Sequence, residues 1–371
     1  MTDNTEKTSP VMSFPSTLQT LNAQISSEQV IDPRLPPFNY SDSDDMETRT
    51  SSLQSAFNAA NASKKPILLS GYFYIDSLII SDHTDYTVLG NSALICQGSG
   101  GSTSAGLTLL NCTGLKWIGH HIVSVNSNFD YGVHVYSNTV GGTSLLTLEI
   151  SVVNARTAWF FGAIGEEDRL VSEIVVRSGY THNCRHGVLV YGTQAVIEFN
   201  GYQLIVVDAN LGTNLVGIGS VFGGLLHVNG GEQQMPASPS GWGYTLGPIN
   251  SPSFDNSYGA VYLNGVAIEC AGLWCLMYNP NSVPNVKAGS GTFSMSNSTG
   301  YASFPGANIQ ASTSFSGKVV IDKTCDFHRV SVKSTPIVYA PGSNWDIYIY
   351  DSAIDTNLPT MFNAVSGGIL H

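Results

Sequence analysis

Short apolar runs recur through the middle of the chain at a nearly constant spacing. The run at 132–137 reads GVHVYS and returns as GVLVYG at 187–192, and a third run at 159–162 falls halfway between them. Further runs at 106–110 and 216–219 continue the series in both directions. The implied period of about 26–29 residues is typical of solenoid proteins, in which each repeat is one coil.

A second strand recurs inside each period. Its centres at 148–150, 172–174 and 197–199 each carry a glutamate beside an apolar residue, and the glutamates are 24 and 25 positions apart. The segments are apolar or alternating over about four to eight residues and are bounded by Gly, Asn, Ser or Thr, as β-strands are. No segment of this region keeps a helical period long enough for a crossover helix. We therefore predict an all-β fold, a single-stranded parallel β-helix whose successive coils pair in parallel.

The sequence before the repeats divides into an arm and a helix. Residues 1–46 are polar, interrupted by proline and too poor in apolar residues to fold alone, so we expect an arm that contributes little to the core and serves attachment. Over 47–66 we predict a short amphipathic helix that covers the open end of the first coil. Its apolar face is formed by Leu53, Ala56, Phe57 and Ala60.

The β-helix itself is predicted over 67–355 and a C-terminal tail over 356–371. The apolar pattern breaks at 230–258, where Gly, Pro and Ser are abundant, and we predict a long loop there. Loops of this length in compact domains are often functional. The tail is expected to close the last coil or to meet a neighbouring subunit.

The start of the repeats resembles a known family. The segment TSSLQSAFNAA at 50–60 is followed by PILLSGYFYI at 66–75. A short helix of the form T-x-x-[IL]-Q-x-A-[LF]-x-A-A before a strand, a glycine-containing turn and an aromatic residue is similar to the opening of pectate-lyase-like right-handed β-helix proteins. Phage tailspikes and polysaccharide depolymerases often carry this opening. The resemblance covers 48–80, departs from the family where Ser70 replaces a proline, and implies a right-handed coil without specifying a reaction.

Charge and hydropathy limit the classes of partner. Charged residues make up 11% of the chain and the formal net charge is −12, without a cluster of Lys and Arg, so no nucleic-acid partner is expected. No apolar run reaches the roughly 20 residues that span a membrane, and no membrane partner is expected. The N-terminus lacks the apolar core of a signal peptide, which predicts synthesis in a cytoplasm.

No metal and no cofactor is predicted. The sequence contains no P-loop, no HExxH motif and no GxSxG motif. The six cysteines fit neither a zinc site nor a redox pair, because Cys270 and Cys275 are five positions apart and the others are scattered. We expect buried free thiols in the core of the solenoid.

Glu149, Glu173 and Glu198 are the predicted catalytic residues. Their spacing matches one coil, so we expect one outward-facing column with carboxylates about 4.8 Å apart. Like charges at that distance raise the pKa of at least one carboxyl, which then serves as a general acid in glycan cleavage. Glycosidases use two carboxylates about 5 Å apart for retention or about 6.5–9.5 Å apart for inversion, and a column offers both. The alternative is a solvated ladder neutralised by water or a bound cation.

A second column is predicted at the starts of the coils. Aligning the repeats places Asp130, Arg156 and Arg185 in register, with His186 beside them. Asp130 and Arg156 are expected to form a structural ion pair. Arg185 and His186 are candidates for substrate binding, and together with Arg156 they are candidates for the base of a lyase. His134 is expected to face outward and is a further substrate-binding candidate.

Aromatic residues in the predicted loop are candidates for stacking on sugar rings. Trp242 and Tyr244 lie in its Gly- and Pro-rich part, and we predict that both contact a saccharide. The alternative is that they pack the loop onto its own coil.

Together these features predict a virion surface protein of the tailspike kind. A fold associated with extracellular polysaccharide, on a chain without a signal peptide, fits a phage protein made in the host cytoplasm and assembled into a virion. We expect it to bind a host surface glycan, to attach to other virion proteins through its arm, and to form a homotrimer. Cleavage of the glycan stays open. The alternatives are a non-enzymatic capsid or tail protein and a free polysaccharide lyase or hydrolase.

Overall fold

The part of the chain that the structure describes is a parallel β-solenoid preceded by a helix. The structure, a computed structural model, describes residues 30–98, 104–125, 129–206, 217–235, 242–247, 258–270, 273–277, 290–300, 309–311, 316–325, 338–339, 345–349 and 369–370. In these ranges the helix α1 (Met46–Ser63) comes first and β-strands follow it. The predicted all-β parallel β-helix is confirmed, and its right hand stays a prediction.

The strands of the described ranges form two sheets in which neighbours pair in parallel. Sheet A consists of β1 (Ile67–Ile75), β3 (Thr87–Cys96), β5 (Lys116–Ser124), β7 (Thr143–Val153), β9 (Val171–Arg177), β10 (Tyr180–Cys184), β12 (Ala195–Asn200), β13 (Gln203–Val206), β15 (Gly224–Asn229), β16 (Glu232–Met235), β18 (Tyr258–Asn264), β19 (Ala267–Cys270), β21 (Ser290–Ser296), β22 (Thr299–Gly300), β24 (Ser316–Ile321), β26 (Trp345–Ile349) and β27 (Ile369–Leu370). Sheet B consists of β2 (Leu78–Ser81), β4 (Ala105–Leu110), β6 (Tyr131–Tyr136), β8 (Thr157–Gly162), β11 (His186–Tyr191), β14 (Gly217–Phe222), β17 (Trp242–Gly247), β20 (Leu273–Met277), β23 (Ile309–Ala311) and β25 (Val338–Tyr339).

Sheet B contains the repeat that the apolar pattern predicts. Strands β4, β6, β8 and β11 are consecutive neighbours, all parallel. Val133 pairs with Trp159, which pairs in turn with Val188, and all three side chains are buried. Equivalent positions of successive coils therefore stack in the core, as in other solenoids.

Helix α1 closes the first coil as predicted. Asp45 caps it, because a carboxylate oxygen of Asp45 accepts a hydrogen bond from the backbone N–H of Thr48 at 2.7 Å. The four predicted apolar residues, Leu53, Ala56, Phe57 and Ala60, are fully buried. The Phe57 ring stacks on Trp117 at 5.3 Å, so the cap reaches the core beneath it.

The buried thiols are also confirmed where the structure describes them. Five cysteines are free and buried: Cys96, Cys112, Cys184, Cys275 and Cys325. Burial raises the pKa of the Cys96 thiol and of the Cys112 thiol to about 12, so these groups are inert at neutral pH. The Cys270 side chain lies outside the described part.

Glycines make the corner of sheet A in the first coils. Strands β3 and β5 bend at Gly90 and Gly119, whose φ angles of +125° and +86° favour glycine. A Cβ on Gly90 would overlap the carbonyl oxygen of Leu69, and a Cβ on Gly119 would overlap that of Gly90. From β9 onward the same corner separates two strands, as at Ser178 and Gly179 between β9 and β10.

The arm is partly built into the fold, which corrects the expectation for 1–46. Ile31 makes a parallel bridge with Ile67, and Tyr40 is 97% buried against the first coil. The Tyr40 hydroxyl accepts a hydrogen bond from the Tyr74 N–H at 2.6 Å, and Arg34 donates to the Tyr72 carbonyl at 2.7 Å. Residues 30–45 thus form a strap over the first coil, and the attachment role of the arm stays a prediction for residues 1–29, outside the described part.

The predicted long loop at 230–258 is also corrected, because strands β16 and β17 lie inside it. Gln233 of β16 pairs with Leu204, and Tyr244 of β17 pairs with Gly219, so both strands continue the sheets. At the other end, β27 belongs to the predicted tail and pairs with β26. Residues 369–370 of the predicted tail therefore extend sheet A.

Replacing Gly90 by alanine is expected to lower the free energy of unfolding by about 3 kcal/mol or more, because the new Cβ overlaps backbone atoms of the neighbouring coil. Gly165→Ala is the matched control. Its φ is +92° but nothing lies within 4 Å of the added Cβ, so a loss of about 1–2 kcal/mol is expected. Urea denaturation measures both, and equal losses would contradict the role of the corner.

Deleting residues 1–29 is expected to leave the Tm within a few degrees, whereas deleting 1–45 is expected to lower it by about 5 °C or more. The second deletion removes the buried Tyr40 ring and the bridge from Ile31 to Ile67. Calorimetry on both shortened chains tests this difference. A Tm of the 1–45 deletion equal to that of the full chain would mean that the strap adds no stability.

Candidate functional site

An open groove with a volume of about 530 Å³ crosses five successive coils at the corner of sheet A. We call it the corner groove. Its floor is backbone, because glycines stand at the corner of several coils, among them Gly90, Gly119, Gly179 and Gly201. The other residues that line it are Asn91, His120, His121, Glu149, Ser151, Ser178, Tyr180 and Gln203. A floor without side chains leaves room for a ligand beside polar walls.

Tyr180 is the exposed aromatic residue of the corner groove. Tyr180 is 37% exposed, and the centroid of its ring lies 5.9 Å from that of the His121 ring. The Tyr180 N–H donates to the Ser151 hydroxyl at 3.3 Å, and the Tyr180 carbonyl accepts from the Tyr202 hydroxyl at 3.0 Å. The backbone that carries the ring is therefore held from two sides.

His120 lies beneath the groove as a structural residue. It is 98% buried, its Nδ1 is 2.9 Å from the Ser92 hydroxyl, and its ring meets Trp117 edge-on at 6.0 Å. Burial lowers the pKa of His120 to about 4, so the imidazole is neutral at pH 7.

The predicted glutamate column does not exist. Residues of β7 and β9 that pair are 28 positions apart, as Ser144 and Ser172 are, whereas Glu149 and Glu173 are 24 apart. Leu146 pairs with Ile174, so Glu173 lies opposite Leu145, four positions before Glu149. Residues that are equally spaced along the chain need not pair in the sheet, because successive coils differ in length.

Each glutamate has its own environment instead. Glu173 is exposed and sits where the register between β9 and β12 shifts, with φ at +56°. Glu198 pairs with Val175 and accepts a hydrogen bond from the Asn229 amide at 3.0 Å. Of the three predicted catalytic residues, Glu149 alone is on the walls of the corner groove.

Tyr244 is a core residue, which corrects its prediction as a sugar-stacking residue of a loop. It is fully buried in β17, and its hydroxyl donates to the Gln233 side-chain oxygen at 2.8 Å. Burial raises the pKa of this hydroxyl well above its usual value. Trp242 begins the same strand and pairs with Gly217, and its side chain lies outside the described part.

The outer face of sheet B carries a second candidate surface. We call it the aromatic face, and its residues are Tyr131, His134, Tyr136 and Phe160. The His134 ring stacks on Phe160 at 4.5 Å and on Tyr136 at 4.3 Å, with interplanar angles of 7° and 16°. The Tyr131 ring centroid is 4.7 Å from that of Phe160. His134 thus faces outward as predicted, but within a stack.

His134 is neutral in that stack. Its Nε2 donates to the Gly162 carbonyl at 2.8 Å, since a carbonyl oxygen can only accept. Burial lowers the pKa of His134 to about 4, and the bond to Gly162 opposes the shift. The ring therefore acts as an aromatic surface near neutral pH.

The predicted arginine column lies beside the aromatic face. Tyr131 pairs with Thr157 and Thr157 with His186, so the residues just before them, Asp130, Arg156 and Arg185, are in register. Arg156 Nη1 lies 2.7 Å from an Asp130 carboxylate oxygen, which confirms the predicted ion pair. Burial, and then the nearby Arg185 charge, lower the pKa of His186 to about 4. Arg185 and His186 thus stand where β11 begins, whereas His134 lies in the ring stack of the aromatic face.

Sequence reasoning missed the corner groove. Asn91, His121, Tyr180 and Gln203 are far apart along the chain, and the coils bring them together. One signal was present, since Gly90 and Gly119 are 29 positions apart, which is one coil. A glycine recurring once per coil marks a corner that keeps its floor open.

The free energy of unfolding is expected to fall as the pH is lowered from 6.5 to about 4, because His134 resists protonation in the folded state. The unfolded chain takes up a proton near pH 6.5, whereas the folded chain does so near pH 4. The contribution of His134 to stability is therefore fully present above about pH 6.5. Below that pH, this group lowers the free energy of unfolding by up to about 1.4 kcal/mol per pH unit. The lowered pKa values of His120 and His186 also make the free energy of unfolding fall as the pH is lowered.

Urea denaturation at pH 7, 6 and 5 measures this slope, and His134→Phe keeps the ring stack without a titrating group. The change in the free energy of unfolding per pH unit is expected to be smaller in the variant, by up to the contribution of one bound proton, about 1.4 kcal/mol. The same slope in both proteins would contradict the assignment.

Comparison with known proteins returns one structural likeness. No family model matches the chain, and no curated protein matches it. The crystal structure of the Dettilon tailspike protein is similar over 92% of this chain and 67% of its own chain, with 12% sequence identity and a TM-score of 0.37. No helix among the described residues is long and apolar enough to cross a membrane. At that TM-score the likeness carries no argument, and the fold stands on the strand pairings themselves.

Proposed function

We propose that this chain is a glycan-binding β-solenoid of a phage surface protein and that the corner groove holds the saccharide. The exposed Tyr180 ring at the side of a polar, glycine-floored groove carries this proposal. Proteins bind small ligands in concave sites that combine apolar surface with a few placed polar groups. The flat ring of a tyrosine packs against the apolar face of a sugar, and its neighbours supply the hydrogen bonds.

The polar walls of the groove suit sugar hydroxyls. The Glu149 carboxylate accepts hydrogen bonds, and the Asn91 and Gln203 amides both donate and accept them. His121 adds ring nitrogens that can donate or accept a hydrogen bond, depending on the tautomer. A saccharide presents hydroxyls that do both, so these groups match it better than they match an apolar ligand.

Binding is favoured over hydrolysis. Glycosidases need two carboxyl groups on either side of the scissile bond. Among the described residues that line the groove, Glu149 supplies the one carboxylate. The other predicted catalytic residues, Glu173 and Glu198, do not line it.

We also propose that the chain is carried on a virion as a homotrimer and attaches through residues 1–29. The resemblance of 48–80 to the opening of tailspike β-helices supports the virion location, since the helix and the first strand are where that opening places them. Partly exposed aromatic residues on the outside of sheet B offer a surface for subunit contact. Light scattering on the purified protein tests the subunit number.

Tyr180→Ala is expected to weaken binding of the recognised glycan about tenfold or more, because it removes the ring that packs against the sugar. Calorimetric titration with fragments of bacterial capsule and O-antigen measures the Kd. Tyr72→Ala is the matched control, since Tyr72 is 62% exposed on the first coil and outside the groove. Equal affinities of Tyr180→Ala and the parent chain would contradict the proposed groove.

Glu149→Gln separates binding from cleavage. We expect the parent chain to bind the glycan without producing new reducing ends, and the variant to bind more weakly because an amide accepts hydrogen bonds less strongly than a carboxylate. A reducing-end assay and absorbance near 235 nm follow hydrolysis and elimination. New chain ends from the parent that disappear in Glu149→Gln would show an enzyme instead.

A further inference from the structure

Glu149 brings a negative charge into the corner groove. The other described residues that line the groove supply amides, hydroxyls, imidazoles, a phenol and glycine backbone. Burial lowers the pKa of His120 to about 4, so this imidazole adds no charge near neutral pH. Among the described residues that line the groove there is no lysine and no arginine. The fixed charge of the groove is therefore negative.

The Glu149 carboxylate has no hydrogen-bond partner in the described part of the chain. Two other glutamates of the solenoid do have one. Glu198 accepts a hydrogen bond from the Asn229 amide at 3.0 Å, and Glu166 accepts one from the Arg169 guanidinium at 3.0 Å. A carboxylate without a protein partner keeps its acceptor positions for a ligand in the groove.

The neighbouring cation does not neutralise Glu149. Leu148 pairs with Val176, and the next residues along these two strands are Glu149 and Arg177. Neighbouring strands lie about 4.8 Å apart, so side chains of this length could form an ion pair. The ion pairs among the described residues do not include these two, and Arg177 is exposed and does not line the groove. The charge of Glu149 is thus left for a ligand.

A negative groove distinguishes sugars by the charge that they carry. A protonated amine on a sugar ring beside Glu149 is attracted by the carboxylate, whereas a uronate carboxylate at the same place is repelled. A hydrogen bond between two charged groups is also about twice as strong as one between neutral groups. Building on the saccharide groove proposed above, we infer that Glu149 is its specificity-determining residue. The groove then prefers an amine-bearing glycan, accepts a neutral one and disfavours one that contains uronate.

Three oligosaccharides of equal length, with amino, N-acetylated amino or uronate rings, measure this preference. They are titrated calorimetrically into the full chain at about pH 7.5, one unit above the pKa of free imidazole. The amine-bearing chain is expected to bind about tenfold more tightly than the neutral one, and the uronate chain about tenfold more weakly. Added salt is expected to narrow both differences. A uronate chain that binds as tightly as the amine-bearing chain would overturn the inference.

Glu149→Gln and Glu173→Gln form a matched pair of variants. Each removes one negative charge from a chain whose formal net charge is −12, but Glu173 is exposed and does not line the groove. Glu149→Gln is expected to bring the three affinities within about threefold of one another. Glu173→Gln is expected to keep their order and their ratios. The same narrowing in both variants would assign the preference to the net charge of the chain and overturn the role of Glu149.

Arg177→Ala is expected to change none of the three affinities. A selective loss of uronate binding in this variant would place the anion on Arg177 and overturn the inference.

Tyr180→Ala separates failure of the charge preference from failure of the groove, because it is expected to weaken all three probes alike. If the uronate chain binds as well as the others and Tyr180→Ala still weakens it, the saccharide groove stands and the charge preference is wrong. If none of the three probes binds the parent chain, the groove itself is wrong and the preference falls with it.

Discussion

Parallel pairing of each coil with the next is the interaction on which the whole structure depends. It requires that the chain turn at the same place in every coil, because a slip of one residue would send every inward side chain of a strand to the outside. Asparagines with positive φ make many of these turns and link them. The Asn111 amide donates to Asn138 at 2.9 Å, and the Asn183 amide donates to Asn154 at 2.7 Å. The corners thus carry hydrogen bonds from coil to coil outside the sheets.

That constraint applies to inward positions and leaves outward ones free. Trp159 and Val188 must fit the core layer that they share, whereas Phe160 and Leu189, their outward neighbours, meet no such condition. Both candidate surfaces consist of outward or corner residues. Side chains there can change with little cost to the core, so the chemistry of these surfaces can vary while the fold stays the same.

The sequence predicted what depends on alternation and repetition, and failed where coil length mattered. The sheet B series and the buried face of α1 followed from apolar spacing alone, since burial imposes that spacing directly. The Glu149 and Glu173 alignment failed because residue counts between coils change without changing the pattern within strands. Tyr40 gave no signal, because a single aromatic residue in a polar arm looks the same whether it is buried or not. Tyr244 was misassigned because flanking Gly and Pro hid a strand.

The corner groove is connected to the core through one buried hydroxyl. Tyr202 is fully buried, accepts a hydrogen bond from the Trp159 indole at 3.1 Å, and lies 3.0 Å from the carbonyl oxygens of both Ile150 and Tyr180. Its single proton is shared between these two carbonyls, so the backbone of Tyr180 is held by the same network that fills the core. These hydrogen bonds fix the backbone from which the Tyr180 ring projects, so the place of the ring at the groove depends on the packing of the core. The parallel stacking that fills the core therefore also sets the shape of the groove at the surface.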